Sequence, residues 1–151
     1  DDALAAIEDE PSGYLSIRGH IHLMQGKADE ALSDFLQVLA LKQAAGDDTG
    51  TAEAKADLGL AEMRRGNTRE ALRLIREGAE GLEAAQSPTF AIRARKRLAQ
   101  GLLRSGHPFQ AWRELNAAHD MAVRYQVYDQ ITPLMEMASR LATTLGLSCK
   151  I

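Results

Sequence analysis

Three glycine-containing pairs, Gly26-Lys27, Gly66-Asn67 and Gly106-His107, recur 40 residues apart along the chain. At one fixed offset each is followed by alanine and a large apolar residue: Ala31-Leu32, Ala71-Leu72 and Ala111-Trp112. A recurrence of this length marks a stacked repeat, each unit being one hairpin that cannot bury its apolar face alone. Upstream the same register holds small residues, Gly19, Gly59 and Ala99. Four residues past each alanine stands a bulky group, Phe35, Ile75 or Leu115. Residues four apart share a helix face, so every unit predicts two helices that interlock small against large.

Composition agrees with an all-α chain. Aromatic residues make up 5%, and leucine, alanine, glutamate and arginine dominate; these side chains, aromatics aside, lose little rotamer freedom in a helix. With 151 residues, 45% of them apolar, one domain with a real core is expected. Along the chain, Asp1 to Glu10 reads as the tail of a preceding second helix. A helix over roughly 13–25 follows, capped by Ser12 and ended by Gly26, and then one over 29–45. Gly46 to Gly50 reads as a turn cluster, followed by helices over 51–65 and 68–85, the latter weakened by Gly78 and Gly81. Ser87-Pro88 starts a helix over 88–104, and Pro108 opens one over 108–124. Thr132-Pro133 opens a last helix that ends near Leu145-Gly146 and has no partner after it, as a terminal cap would. Repeats are thus expected over 12–45, 51–85 and 87–125, with a capping helix over 130–146.

Leu58-Gly59 followed by Ala71-x3-Ile75, with Ala31-x3-Phe35 and Ala111-x3-Leu115, resembles the tetratricopeptide repeat, which carries Leu-Gly in its first helix and Ala-x3-Phe in its second. The resemblance covers roughly residues 12–146. It implies a right-handed α-solenoid of stacked antiparallel hairpins, about three full repeats plus the capping helix. Two departures stand out. The period is 40 rather than about 34, and the proline that closes the second helix is replaced by Gln43, Glu83 and Val123, so the second helices should run long. Extended repeats of this kind resemble those of bacterial regulatory proteins and of some eukaryotic adaptors, and their length overlaps that of HEAT repeats, the alternative fold.

In such arrays the first helices line a concave surface that receives a protein or peptide. The register assigns to it Ser16, His20, Leu23 and Met24 from the first repeat, and Glu53, Asp57, Leu60 and Arg64 from the second. The third repeat supplies Arg93, Lys96, Arg97, Gln100 and Arg104, and the last helix Glu136 and Arg140. Arg93 and Arg97 project from one face and could grip a carboxylate. Chaperone-binding members of the family hold a peptide carboxyl terminus with basic residues at the matching third-repeat positions. The remaining clamp positions are Ser16, His20 and Asp57 here, and an aspartate repels a carboxylate, which disfavours that specific ligand. Two readings stay open: Arg93 and Arg97 pair with Glu53 and Asp57 on the neighbouring helix, or they grip an acidic peptide.

Other functions are disfavoured. A net charge of −3 offers no general nucleic-acid surface. The run Arg93-Ala94-Arg95-Lys96-Arg97 distributes its charge around a helix as a solvated face, without an aromatic stacking platform. His20 and His22 point apart, His107 and His119 lack ligand spacing, and Cys149 is a single bystander thiol, so no metal or other cofactor is expected. Neither a G-x-S-x-G turn nor a phosphate-binding loop is present, which argues against an enzyme. No apolar run is long enough to span a bilayer, and a reducing cytoplasm is the simplest compartment. The chain opens Asp1-Asp2-Ala3 without an initiator methionine, as a piece of a larger protein would. Trp112 takes the slot of Leu32 and Leu72 and is expected to pack between helices. Met121, Met135, Met137, Tyr125 and Tyr128 read as core or cap packing, or as a patch for a homodimer or neighbouring domain. The expected role is a peptide-binding docking or sensing module of a bacterial regulatory protein. The alternative is an oligomerisation or spacer module with no groove ligand.

Overall fold

The computed structural model describes residues 11–147. It contains α1 (Pro11–Met24), α2 (Ala28–Ala44), α3 (Asp48–Arg64), α4 (Thr68–Ala84), α5 (Pro88–Arg104), α6 (Pro108–Arg124) and α7 (Tyr128–Thr144). No strand occurs among the described residues. The expectations for Asp1 to Glu10 and for Cys149 lie outside them.

The helices are spaced by one turn used seven times. At the first, the Gly26 N–H donates to the Leu23 carbonyl at 3.1 Å and the Lys27 N–H to the His22 carbonyl at 2.8 Å. That pair of bonds is a Schellman motif, which satisfies carbonyls left free at a helix end and puts its pivot residue in the left-handed region. Gly46, Gly66, Gly106 and Gly146 repeat it with φ between 67° and 88°. Gln86 and Gln126 occupy the same slot at φ 56° and 57°. The half-repeat is therefore 20 residues, and glutamine tolerates the strained slot twice because the two bonds around it compensate.

Successive helices pack antiparallel into a solenoid, with α3 also touching α5. The small-against-large pairs are where the register puts them. A Cβ on Gly19 would stand 2.6 Å from the Phe35 ring, and one on Gly59 would meet the Ile75 side chain and stand 2.9 Å from the Ala71 carbonyl oxygen. Ala99 and Leu115 are buried in the same cluster. Phe35, Ile75, Leu98, Leu102, Leu115 and Leu134 are fully buried, each worth roughly 1.5–3 kcal/mol of transfer free energy. Trp112 packs against this core.

Several local expectations need correction. Ser12 is not a cap; it lies inside α1 and is buried. Asp48, Thr49 and Gly50 are the first turn of α3, not a loop, because the turn is complete at Asp47, whose carboxylate accepts the Gly50 N–H at 2.8 Å. Gly78 does not weaken α4 but lets it approach α3: a Cβ there would lie 2.7 Å from the Ala52 carbonyl oxygen. A Cβ on Gly81 would lie 2.9 Å from the Ala52 Cβ. The last helix begins at Tyr128 rather than Thr132 and ends at Thr144, with Pro133 inside it. The Gln126 turn sets that start, and proline near the first turn removes few helical bonds.

Candidate binding cleft

Alternate helices bring their side chains together. Ser16 and His20 from α1, Glu53, Ala56 and Asp57 from α3, and Phe90, Arg93, Ala94 and Arg97 from α5 line one open cleft of about 130 Å³, with Leu82 of α4 alongside. Each set falls at spacings of three or four, so one face of each helix turns inward. Ala56 and Ala94 leave the space that larger side chains would fill.

The charges are unevenly compensated. Asp57 is shared: its carboxylate lies 3.5 Å from Arg97 Nη1 and 3.4 Å from His20 Nε2. His20 also stands edge-on to Phe35, with ring centroids 5.1 Å apart. Arg93 stacks its guanidinium over Phe90 at 5.3 Å and has no carboxylate within ion-pair distance among the described residues. Burial, and then the neighbouring charges of Asp57 and Asp47, push the Glu53 carboxyl above its ordinary range, opposed by Lys42 and Arg93. A partly buried carboxylate thus faces a cation held by an aromatic ring across a small open cleft.

A family model described as Tetratricopeptide repeat matches residues 12–84, the span of α1 to α4. Such repeats mediate protein–protein interaction and are a non-catalytic scaffold type. The α5–α6 hairpin continues the same turn and the same small-against-large contact beyond the matched segment. Among solved structures, the chain is similar to the one titled "Crystal structure of BtubC (BKLC) from P. vanneervenii". The TM-score is 0.64 at 11% identity, over 93% of this chain and 66% of that one. At that identity the likeness concerns the fold alone, and the chain spans just under two thirds of the neighbour's length. No curated protein matches the sequence.

Of the residues assigned to the ligand face, the helical array gathers Ser16, His20, Glu53, Asp57, Arg93 and Arg97 in the cleft. Others stand apart. Leu23 is a core residue and Leu60 packs against the core. Lys96 donates to Gln130 at 3.3 Å, while Arg104 lines a separate cleft at the helix turns with Met63, Thr68 and His107. Met24, Arg64, Gln100, Glu136 and Arg140 are exposed outside the cleft. Phe90, Ala56 and Ala94 were not anticipated, although Phe90 sits one turn before Arg93 and its aromatic character is the signal that could have marked it. Arg95 departs from a uniformly solvated basic face. It is largely buried, 3.0 Å from Glu83 of α4 and 2.8 Å from Glu114 of α6. Burial lowers its pKa, but the two carboxylates outweigh that and hold it above the ordinary value. Among the described residues no three metal-ligating side chains cluster, and no helix is long and apolar enough to cross a membrane.

Proposed function

We propose that the chain is a docking module of a larger bacterial regulatory protein, working in the cytoplasm, whose cleft receives an extended peptide segment of a protein partner. The reading is carried by the convergence of α1, α3 and α5 on one cleft with Arg93 held ready over Phe90. Asp57 already engages Arg97, so Arg93 is the cation free to meet an acidic side chain, while Glu53 favours a basic or neutral residue beside it. This arrangement fits a peptide of mixed charge better than a bare carboxyl terminus.

The test is fluorescence anisotropy with a labelled extended peptide containing one glutamate, against wild type and the Arg93→Glu, Arg97→Glu double variant. Affinity should fall about tenfold or more, equivalent to roughly 1.4 kcal/mol. Stability in urea should fall only modestly, by roughly 1 kcal/mol, since the part-buried Asp57–Arg97 pair is lost at a separation of 3.5 Å while circular dichroism should stay helical. Unchanged binding would sink the assignment. The alternative reading is an oligomerisation or spacer module with no groove ligand.

A further inference from the structure

The groove between α2 and α4 and the one between α4 and α6 share one register but carry different side chains. In the first, Arg65 lies 2.8 Å from Asp29 and 3.1 Å from Glu62, and the Asn67 side-chain amide donates to Glu62 at 2.6 Å. That network ties the end of α3 to the start of α2. Counting by 40, Asp29 becomes Arg69, Glu62 becomes Leu102, Arg65 becomes Ser105 and Asn67 becomes His107. The second groove therefore has neither carboxylate, and a serine stands where an arginine would take up the space. Two open hollows adjoin there, one of about 770 Å³ along α4 and one of about 450 Å³ at the helix turns, with Thr68 and His107 common to both. Arg69, Arg73 and Arg76 follow one another along α4 at spacings of four and three, and Arg104 stands at the turn end. Arg73 is occupied, donating to Glu70 at 2.9 Å and to Glu77 at 2.6 Å. Arg69, Arg76 and Arg104 are exposed and have no carboxylate within ion-pair distance among the described residues. Beneath them lie half-buried Leu72 and fully buried Leu102.

We infer that the α4–α6 groove docks an acidic segment of a protein partner, its carboxylates meeting Arg69, Arg76 and Arg104 while an aliphatic side chain rests on Leu72 and Leu102. Charge complementarity selects this occupant. Each of the three guanidiniums can take a carboxylate through paired hydrogen bonds, and none has to leave an internal partner first. The apolar floor adds a term that free anions would not use. A nucleic-acid backbone fits less well, because Glu77 and Glu80 line the same hollow and would repel an unbroken run of phosphates. Spaced carboxylates with uncharged residues between them avoid that conflict. The groove has no residue in common with the cleft of α1, α3 and α5, so the inference does not rest on peptide binding there.

Fluorescence anisotropy on the full chain tests this, with a labelled peptide whose glutamates flank a central leucine and whose other residues are alanine and serine. Saturable binding is expected, and it should disappear when the glutamates are replaced by glutamine. Arg69→Glu with Arg76→Glu should weaken it about tenfold or more while circular dichroism stays helical, both residues being exposed. Arg69→Asp with Ser105→Arg installs the Asp29–Arg65 pair of the first groove at the matching positions, and should weaken binding to a similar extent by filling the hollow. Arg93→Glu with Arg97→Glu, in the other cleft, should leave this affinity within about twofold. Absence of saturable binding to the wild type overturns the inference, as does unchanged affinity in either groove variant. A loss caused by the cleft variant instead, or displacement of the peptide by oligothymidine at lower concentration than by unlabelled peptide, overturns it too.

Discussion

The two ends of the array are built from the same register and finished differently. At the carboxyl-terminal end, α7 presents fully buried Leu134 to the stack and turns exposed Ser139 and Thr143 toward the side where a partner helix would follow. Ser139 stands in the slot of Gly19, Gly59 and Ala99. At the amino-terminal end, the core positions Leu58 and Leu98 are matched by Arg18, and Leu74 by Asp34. Asp34 is 3% exposed, bonded to Arg18 and lying 3.0 Å from His22 Nδ1. On that side α7 carries polar residues, whereas α1 joins a satisfied ion network to exposed Tyr14, Ile17, Ile21 and Met24. Matching positions of a repeat array can therefore change side chains without changing the backbone, because each unit contacts only its neighbours.

The sharpest way to break this comparison is to cut the same register position at both ends. Leu134→Ala should cost about 2–5 kcal/mol, since it empties a fully packed site. Tyr14→Ala, measured where the chain is monomeric, should stay under about 1 kcal/mol because the ring is half exposed. Equal losses in urea denaturation would show that the α1 side is as well covered as that of α7.

The small-residue slot gives the next largest contrast. Gly59→Leu should destabilise by about 1–3 kcal/mol, as its Cβ meets both Ile75 and the Ala71 backbone. Ser139→Leu at the matching place should remain within about 0.5 kcal/mol, since it lies exposed. A similar shift of midpoint for both would mean that α7 has a partner on that side.

The smallest expected effect concerns pH. The Arg18 guanidinium holds the Asp34 carboxyl below the usual carboxylate range, against the opposing effect of burial and with help from His22. A depressed folded pKa contributes stability that is complete above the ordinary value and is lost as pH falls through the folded one. Stability should therefore decline on acidification below about pH 4, and Asp34→Asn should flatten that limb while lowering the neutral plateau by roughly 1–3 kcal/mol. An unaltered acid limb in the variant would assign it to other carboxylates.

Much of this was legible in the residues because it depends on spacing. Glycine at one offset, alanine and a bulky group at another, and helix-forming composition between them are local facts, and they lead to hairpins in one stack whatever else varies. The 20-residue half-period was harder to see, since Gln86 and Gln126 hold the left-handed slot without carrying its usual signature. Gly50, Gly78 and Gly81 were ambiguous for a related reason: glycine marks both a turn and a close approach of two backbones, and only the neighbour across the gap distinguishes them. For the cleft, the register put Ser16, His20, Glu53, Asp57, Arg93 and Arg97 on converging faces but could not separate them from Arg64, Gln100 and Arg104, which lie elsewhere.

By itself the sequence determined the period, the helices and which side chains interlock, because these follow from residue chemistry repeated at fixed intervals. Only the tertiary structure decided that Arg97 is spent on Asp57 while Arg93 rests on Phe90, that Arg95 is half-buried between two glutamates, and that Tyr14, Ile17, Ile21 and Met24 stand exposed along α1. Those outcomes depend on distances between helices far apart in the chain, where a shift of an ångström or two redirects a long charged side chain to another partner.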